Sequence, residues 1–298
     1  MPIKLQKVHI DWTKPLQGLT WYIMGSPKTG KTTQMSNWSS KGQDGVVILD
    51  TDLGADYVEG ANIIPITSLN PPIRQVIHES VPVTEMFNGS TVPKMELVPP
   101  AERGFFARTN KNEPMEVYSL VEAIEDLKIN WDSKEYKNID TVVIDTIDKV
   151  NLWMEVIIEQ KLGVDNIADA GFGAGWATVS SKIDKSIQSL QEFLKRRGGT
   201  LVLISHCKPS TMIDGKVQLS PNIPKGLAAK LTRRSDIIGV TGIQQGTGAF
   251  MISFMGYGER QVGSRLRPLV GKQLPFNYIE IMNELKTYSK ENENASTK

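Results

Sequence analysis

The sequence is poor in cysteine and histidine, the side chains that most often build disulfides, thiol nucleophiles and metal centres. Cys207 is its one cysteine, and His9, His78 and His206 are its three histidines. A single cysteine excludes an intrachain disulfide and fits a reducing cytoplasm. A cysteine nucleophile needs a partnered base, so we expect Cys207 to be a small packed side chain.

Long apolar runs and an excess of charge are also missing. No apolar run approaches the ~20 residues that cross a bilayer, and the first twelve residues lack the continuous apolar core of a signal peptide. The 34 Lys and Arg nearly balance the 33 Asp and Glu, so a nucleic acid would have to be held by a local basic patch. We therefore expect a cytoplasmic protein with no membrane partner.

What the sequence does contain is a glycine-bounded loop after a short apolar run. Residues 25–33 read GSPKTGKTT and follow TWYIM at 20–24. The loop fits G-x-x-x-x-G-K-T, in which backbone N–H groups cradle phosphates, the lysine reaches the β- and γ-phosphates and the threonine binds Mg²⁺. We predict ATP and Mg²⁺ as cofactors. The predicted nucleotide-binding residues are Gly25, Ser26, Pro27, Lys28, Thr29, Gly30, Lys31, Thr32 and Thr33, with Thr32 on the metal and Lys31 in a catalytic role.

Apolar strand patterns alternate with helical patterns along the chain. The runs at 46–50, 141–145 and 200–205 are typical of strands buried on both faces, and 149–162 and 176–196 are typical of helices. This alternation predicts an α/β fold with a mostly parallel sheet flanked by helices. The remaining predicted elements are a helix after the loop, a weak strand at 62–66, helices at 114–130 and 226–234, and a C-terminal β-hairpin at 237–243 and 249–257.

We expect one domain, spanning residues 1–288. Proline and glycine interrupt 67–113 repeatedly, which predicts an irregular insertion with a small hairpin near Asn88 and Gly89. Residues 289–298 are polar, which predicts a disordered tail.

Polar side chains follow three of the predicted strands, where ligands of parallel sheets bind. Asp145 is expected beside the strand of the phosphate loop, where it either holds Mg²⁺ through water or caps the next helix. Asp52 is a candidate general base or a turn residue. Asp50 is expected either to be structural or to support a metal ligand without binding the metal itself. His206 either contacts the γ-phosphate or is structural.

Basic residues follow the predicted C-terminal hairpin. Arg265 and Arg267 either stabilise charge on a transferring phosphoryl group, as arginines of a neighbouring subunit often do, or form an exposed basic loop. Lys272 is a weaker member of the same group.

Residues 208–234 carry a net charge of +5, six basic residues against Asp214. This run either tracks a nucleic-acid backbone or is a solvated face. Aromatic residues beside the glycine-rich passage at 171–175 either stack on bases or pack in the core. The candidate DNA-binding residues are Lys208, Lys216, Lys225, Lys230, Arg233, Arg234, Phe172 and Trp176.

The order of the phosphate loop, LDTD at 49–52, VVIDT at 142–146 and LISH at 203–206 resembles the RecA-like core of P-loop ATPases. The passages at 172–176 and 204–206 resemble a phage-encoded branch of AAA-type proteins that includes the Sak-type single-strand annealing ATPases. This resemblance covers about 20–280 and implies Asp52 as the catalytic carboxylate, single-stranded DNA as ligand, assembly into rings or filaments, and the host cytoplasm. Aspartate at 52, where RecA types carry glutamate, and the insertion are departures.

The predicted function is that of a phage ATPase acting on single-stranded DNA in recombination or replication, of the annealing or strand-pairing type. A single-strand-binding or replication protein is a further expected partner. Three alternatives stay open: an ATPase acting on a protein, such as a helicase loader, remodelling factor or packaging accessory; a small-molecule P-loop kinase; and a switch that binds nucleotide without needing hydrolysis.

Overall fold

A computed structural model describes residues 10–12, 14, 17–76, 94–103, 105–107, 114–211, 217–256 and 262–296. The strands are β1 (Thr20–Gly25), β2 (Val46–Asp50), β3 (Asn62–Ser68), β4 (Ile73–Val76), β5 (Lys94–Leu97), β6 (Phe105–Ala107), β7 (Pro114–Glu116), β8 (Tyr118–Ser119), β9 (Thr141–Asp145), β10 (Thr200–Thr211), β11 (Val217–Pro221), β12 (Ile237–Ile243), β13 (Phe250–Ser253), β14 (Gly263–Ser264) and β15 (Gln273–Pro275). The helices are α1 (Lys31–Met35), α2 (Leu120–Asn130), α3 (Ile147–Leu162), α4 (Ala174–Arg196), α5 (Lys225–Arg234) and α6 (Tyr278–Ser296).

A mixed, mostly parallel sheet forms the centre of the fold. Its strand order is β15-β13-β12-β1-β10-β9-β2-β3-β8, with β11 on β10 and β14 on β12. The strands from β12 to β8 in this order are parallel, whereas β13, β14, β15 and β11 pair antiparallel. The α/β prediction is therefore confirmed, and the carboxyl ends of β1, β10, β9 and β2 share one edge, which we call the carboxyl edge.

Alternating side chains of β1 supply two cores, one on each face of the sheet. Tyr22 and Met24 pack with α2, α3, α4 and α5, whereas Trp21 and Ile23 pack with α1 and α6. Side chains of a strand point to opposite faces in turn, so a strand buried on both faces must be apolar throughout. This explains the uninterrupted TWYIM run before the phosphate loop.

The structure corrects two details near the carboxyl edge. β10 lies between β1 and β9, so the strand that carries Asp145 is not beside the phosphate-loop strand. β10 also continues past His206, and its residues 207–211 pair with β11 as a β-ribbon. His206 is thus within a strand, at the point where parallel pairing with β1 ends opposite Gly25.

Helix boundaries differ from the predictions where local capping decides them. α2 begins at Leu120, not 114, because Ser119 and Glu122 form a reciprocal capping box there. α1 has five residues. Residues 289–296, which were predicted to belong to a disordered tail, instead continue α6, whose first half is anchored by buried Ile281 and Leu285. No described helix is both long and apolar enough to cross a membrane.

The described parts of the 67–113 insertion are more regular than its proline content predicted. β4 pairs antiparallel with β5, and β6 with β7. The guanidinium of Arg103 binds the Glu122 carboxylate through two contacts of 2.5 and 2.7 Å, which joins the insertion to α2. The hairpin predicted near Asn88 and Gly89 falls outside the described residues.

Candidate active site

The phosphate loop begins at Gly25, the last residue of β1, where there is no room for a side chain. A Cβ built on Gly25 would lie 2.0 Å from Oγ1 of Thr241 on β12. That hydroxyl is 2.7 Å from Oγ1 of Thr29, so the loop lies directly on the neighbouring strand. At the other end, Gly30 has φ +77°, a conformation that glycine adopts without cost. Both glycines of the motif are therefore required by the backbone.

Lys31 is held inside the loop. Its ammonium donates to the carbonyl oxygens of Gly25 at 3.0 Å and Ser26 at 2.8 Å, and the residue is 6% exposed. Burial lowers the pKa of Lys31, and the nearby Asp145 carboxylate opposes that shift. An anionic phosphate in the loop would oppose it in the same way, so a buried lysine here suits an anion.

Thr32 and Asp145 meet across the gap between α1 and β9. The Thr32 hydroxyl donates to Oδ2 of Asp145 at 2.6 Å. Burial raises the pKa of Asp145 to about 7, with smaller contributions from Asp50 and Asp52. A cation would stabilise the ionised form of a buried carboxylate that lies near other carboxylates. Mg²⁺ bound beside phosphate oxygens is typically held by one hydroxyl and one carboxylate of the protein. The residues present fit Mg²⁺.

Protein side chains alone do not form a metal cage here. Among the described residues no group of three or more His, Cys, Asp or Glu could hold an ion. Mg²⁺ typically binds one or two protein ligands and completes its shell with waters and nucleotide phosphates. Thr32 and Asp145 would hold the metal, and any nucleotide would supply the remaining ligands.

Asp52 lies near Asp145 because hydrogen bonds join the residues that follow β2 to Thr146, which follows β9. Its Oδ2 accepts from the Thr146 hydroxyl at 3.2 Å, and Thr146 N donates to Thr51 Oγ1 at 2.6 Å. Asp52 is exposed, whereas Asp50 is buried and accepts from the amides of the turn at 54–55. Asp50 thus holds this turn, which is the structural one of its two expected roles, and Asp52 lies on the open side of the edge.

Asp148 is a residue that the motif search missed. Its Oδ2 accepts from the backbone N–H of His206 at 3.0 Å, and its buried Oδ1 has no hydrogen-bond partner among the described residues. Burial raises the pKa of Asp148 to about 7. Burial also lowers the pKa of His206, and the Lys31 charge lowers it further, so the imidazole is neutral near pH 7. The one available signal was the position of Asp148, three residues after Asp145 and in the first turn of α3.

The arginines predicted to act on phosphoryl groups lie away from the loop of their own chain. Arg265 binds Asp236 at 2.8 Å, and Asp236 accepts from the backbone N–H of Thr20, the first residue of β1. β1 spans roughly 17 Å from Thr20 to the loop. Arg267 is exposed two residues further on, and Lys272 pairs with Glu284 on α6. The contacts of Arg265 thus place it at the amino end of β1, away from the phosphate loop of its own chain. A role of Arg265 and Arg267 in a neighbouring subunit stays a prediction.

The basic run at 208–234 does not form one surface. Lys208 lies on the β10–β11 ribbon beyond the carboxyl edge, whereas Arg234 at the end of α5 binds Asp184 on α4. Arg233 and Lys230 belong to the same helix, which runs away from the edge toward Thr20. Lys225 begins that helix, and Lys216 falls outside the described residues. The chain path divides the charge, so the single patch that the composition predicted is wrong.

The two aromatic candidates have different environments. Phe172 is fully exposed in a turn in which it, Gly171 and Gly173 all have positive φ. Trp176 is half-buried and packs against the α-helical core. Gln191 near the end of α4 contacts Thr20 at the amino end of β1. The first residue of α4 lies about 26 Å from Gln191 along the helix axis, away from that end of the strand. Phe172 therefore lies toward the carboxyl edge.

Gly25→Ala should abolish nucleotide binding, because the new Cβ would collide with Thr241 Oγ1 and with the Thr241 carbonyl oxygen, 2.0 and 3.0 Å away. The β1–β12 pairing fixes the carbonyl oxygen, and contacts with Thr29 and Met24 hold the hydroxyl, so we expect the loop to move. Binding of a fluorescent ATP analogue and the melting temperature measure the effect. Gly226→Ala is the matched control, since its Cβ would meet no atom within 4 Å in α5. Wild-type affinity in Gly25→Ala would contradict this account.

Comparison with known proteins assigns the chain to a family. None of the curated proteins matches the sequence. A protein-family model described as "AAA domain" matches residues 17–266, well over half of the chain. The match spans the phosphate loop, Asp52, Asp145 and His206, and the sheet places all four at one edge. The chain belongs to this AAA domain family of P-loop nucleotide-binding proteins, a membership that suggests nucleotide hydrolysis.

Proposed function

We propose that this chain is a Mg²⁺-dependent ATPase whose reaction takes place at the carboxyl edge. The observation that carries the proposal is the 2.6 Å contact of Thr32 with Asp145 beside the enclosed Lys31 ammonium. A phosphate loop that only binds an anion would not need a buried carboxylate aimed at its threonine. The pair is what a metal-dependent phosphoryl transfer needs.

Each residue at the edge has a distinct part in this proposal. Lys31 neutralises charge on the β- and γ-phosphates, and Thr32 with Asp145 positions the metal. When bound, Mg²⁺ neutralises phosphate charge and orients the terminal group. Asp52, fixed by Thr146, orients the attacking water and accepts its proton. His206 donates from a neutral imidazole to the terminal phosphate.

We further propose that single-stranded DNA is the ligand whose binding is coupled to hydrolysis, in phage recombination or replication. Two features on the carboxyl-edge side support it. Phe172 is a fully exposed aromatic side chain. Lys208 lies on the ribbon that continues β10 beyond His206. An aromatic platform with a nearby cation is typical of sequence-tolerant binding to single strands. An assembly of several chains would bring Arg267 of one to the edge of the next.

Phe172→Ser should weaken binding of single-stranded DNA about tenfold, since stacking on one aromatic side chain contributes roughly 1–3 kcal/mol for each base. Fluorescence anisotropy of a labelled oligonucleotide in the presence of MgATP measures it.

The affinity of the wild type for single-stranded DNA should also fall steeply with salt, because lysine contacts to phosphates release counterions.

Ile279→Ser is the matched control, because Ile279 is an exposed apolar residue on α6, on the opposite face of the sheet. Equal DNA affinity of Phe172→Ser and Ile279→Ser would exclude Phe172 as a contact. ATP hydrolysis that no DNA stimulates would favour a protein as the coupled partner.

A further inference from the structure

The tip of the β12–β13 hairpin lies against the phosphate loop, on the flank opposite Asp145 and His206. β12 is next to β1 on one side, and β10 is next to β1 on the other. Thr241 of β12 contacts Thr29 of the loop at 2.7 Å. The loop therefore has different neighbours on its two flanks. β10 and the acidic residues of β9 and β2 lie on one flank, and the hairpin tip lies on the other.

Two apolar side chains form one face of the tip. Ile243 and Phe250 are directly opposite each other in the antiparallel register, so their side chains share a face. A Cβ on Gly30 would lie 2.9 Å from the Phe250 ring, which shows that the ring packs over the loop backbone. Ile243 is 52% exposed beside it. This gives the loop an apolar wall on the β12 side.

The orientation of a bound triphosphate follows from where its terminal group is held. Thr32 meets Asp145 on the β10 flank of the loop, beside the Lys31 ammonium. These residues would hold the γ-phosphate on that flank, so the nucleoside would leave the loop on the β12 flank. We propose that Ile243 and Phe250 form the site of the nucleobase, whose ring packs on this apolar wall. The proposal rests on the function proposed above and adds the residues that distinguish a nucleotide from a bare polyphosphate.

The turn that closes the hairpin supplies a polar group next to the wall. Oε1 of Gln244 accepts from the Thr247 hydroxyl at 3.1 Å, and the N–H of Gly248 donates to the Gln244 carbonyl oxygen at 3.0 Å. These contacts hold the Gln244 amide at the end of β12, directly after Ile243. An oriented amide N–H₂ donates well to a ring nitrogen such as N7 of a purine. The chemical class of the ligand is therefore a nucleoside triphosphate, and the purine of ATP has a suitable acceptor for this amide.

Ile243→Ser tests the site through two ligands that share only their phosphates. Calorimetry measures binding of MgATP and of magnesium tripolyphosphate, which has no base, to the full chain. We expect Ile243→Ser to weaken MgATP binding about tenfold, because it removes the apolar surface that the base would bury, and to leave tripolyphosphate binding within about twofold. Ile129→Ser is the matched control, since Ile129 is 80% exposed at the end of α2; it should change neither ligand.

The outcomes separate this inference from the proposed function. Unchanged MgATP binding in Ile243→Ser, or an equal loss for both ligands, would overturn the nucleobase site while leaving the ATPase proposal intact. A wild-type chain that binds neither ligand would overturn the proposed function and the inference with it. A melting temperature of Ile243→Ser within about 2 °C of the wild type shows that the fold is retained.

Discussion

Lys31→Ala is expected to lower ATP hydrolysis at least 100-fold. The ammonium lies inside the loop, within hydrogen-bond distance of two loop carbonyl oxygens, and alanine leaves no cation there to neutralise phosphate charge. Removing one pre-positioned donor to developing charge typically costs about 10²–10³ in rate. Steady-state phosphate release at saturating MgATP measures the loss.

Lys182→Ala is the control for Lys31→Ala, because Lys182 is an exposed lysine in the middle of α4. It should hydrolyse ATP at the wild-type rate. If Lys31→Ala retained more than about a tenth of the wild-type rate with an unchanged melting temperature, the reaction would not take place at this loop.

Asp145→Asn should separate nucleotide binding from hydrolysis. Asparagine keeps the size of the side chain and an oxygen for the Thr32 hydroxyl, but it removes the charge that positions the metal. We expect hydrolysis to fall about 10²–10³-fold, while MgATP still binds through the loop. Phosphate release and calorimetry on the same preparation report the two quantities.

A thermal melt shows whether the same substitution disturbs the fold. The pKa of Asp145 is about 7 in the folded chain, well above the ordinary value of 3.8. The folded state therefore binds more protons than the unfolded state between those values, and this carboxyl lowers stability as pH rises through that window. Without Mg²⁺ and nucleotide at pH 8, Asp145→Asn should melt above the wild type. A lower melting temperature together with lost hydrolysis would mean a damaged fold instead.

The sequence was most informative where function requires particular residues at fixed spacing. The loop at 25–33 fits a pattern whose glycines, lysine and threonine each have a physical reason, and the structure shows the sterics behind both glycines. The carboxyl ends of parallel strands share an edge, so Asp52, Asp145 and His206 could be placed together from strand patterns alone. Strand order could not be derived, because β9 and β10 are equally apolar and either could neighbour β1.

Charge counting was least informative, because it ignores the path of the chain. The run at 208–234 is continuous in sequence, yet it folds into a ribbon and a helix that lead in different directions. Arg234 could not be recognised as a structural residue, since its partner Asp184 is fifty residues away. Asp148 and Thr241 belong to no motif and gain their importance only from contacts across the sheet.

The rate of phosphate release from MgATP tests directly whether this chain is an ATPase coupled to DNA. Wild type and Lys31→Ala are measured side by side, with and without single-stranded DNA. We expect turnover by the wild type that single-stranded DNA increases and EDTA abolishes, and turnover by Lys31→Ala that is at least 100-fold slower in every condition. Absence of hydrolysis by a folded wild-type chain, with DNA and Mg²⁺ present, would contradict this account.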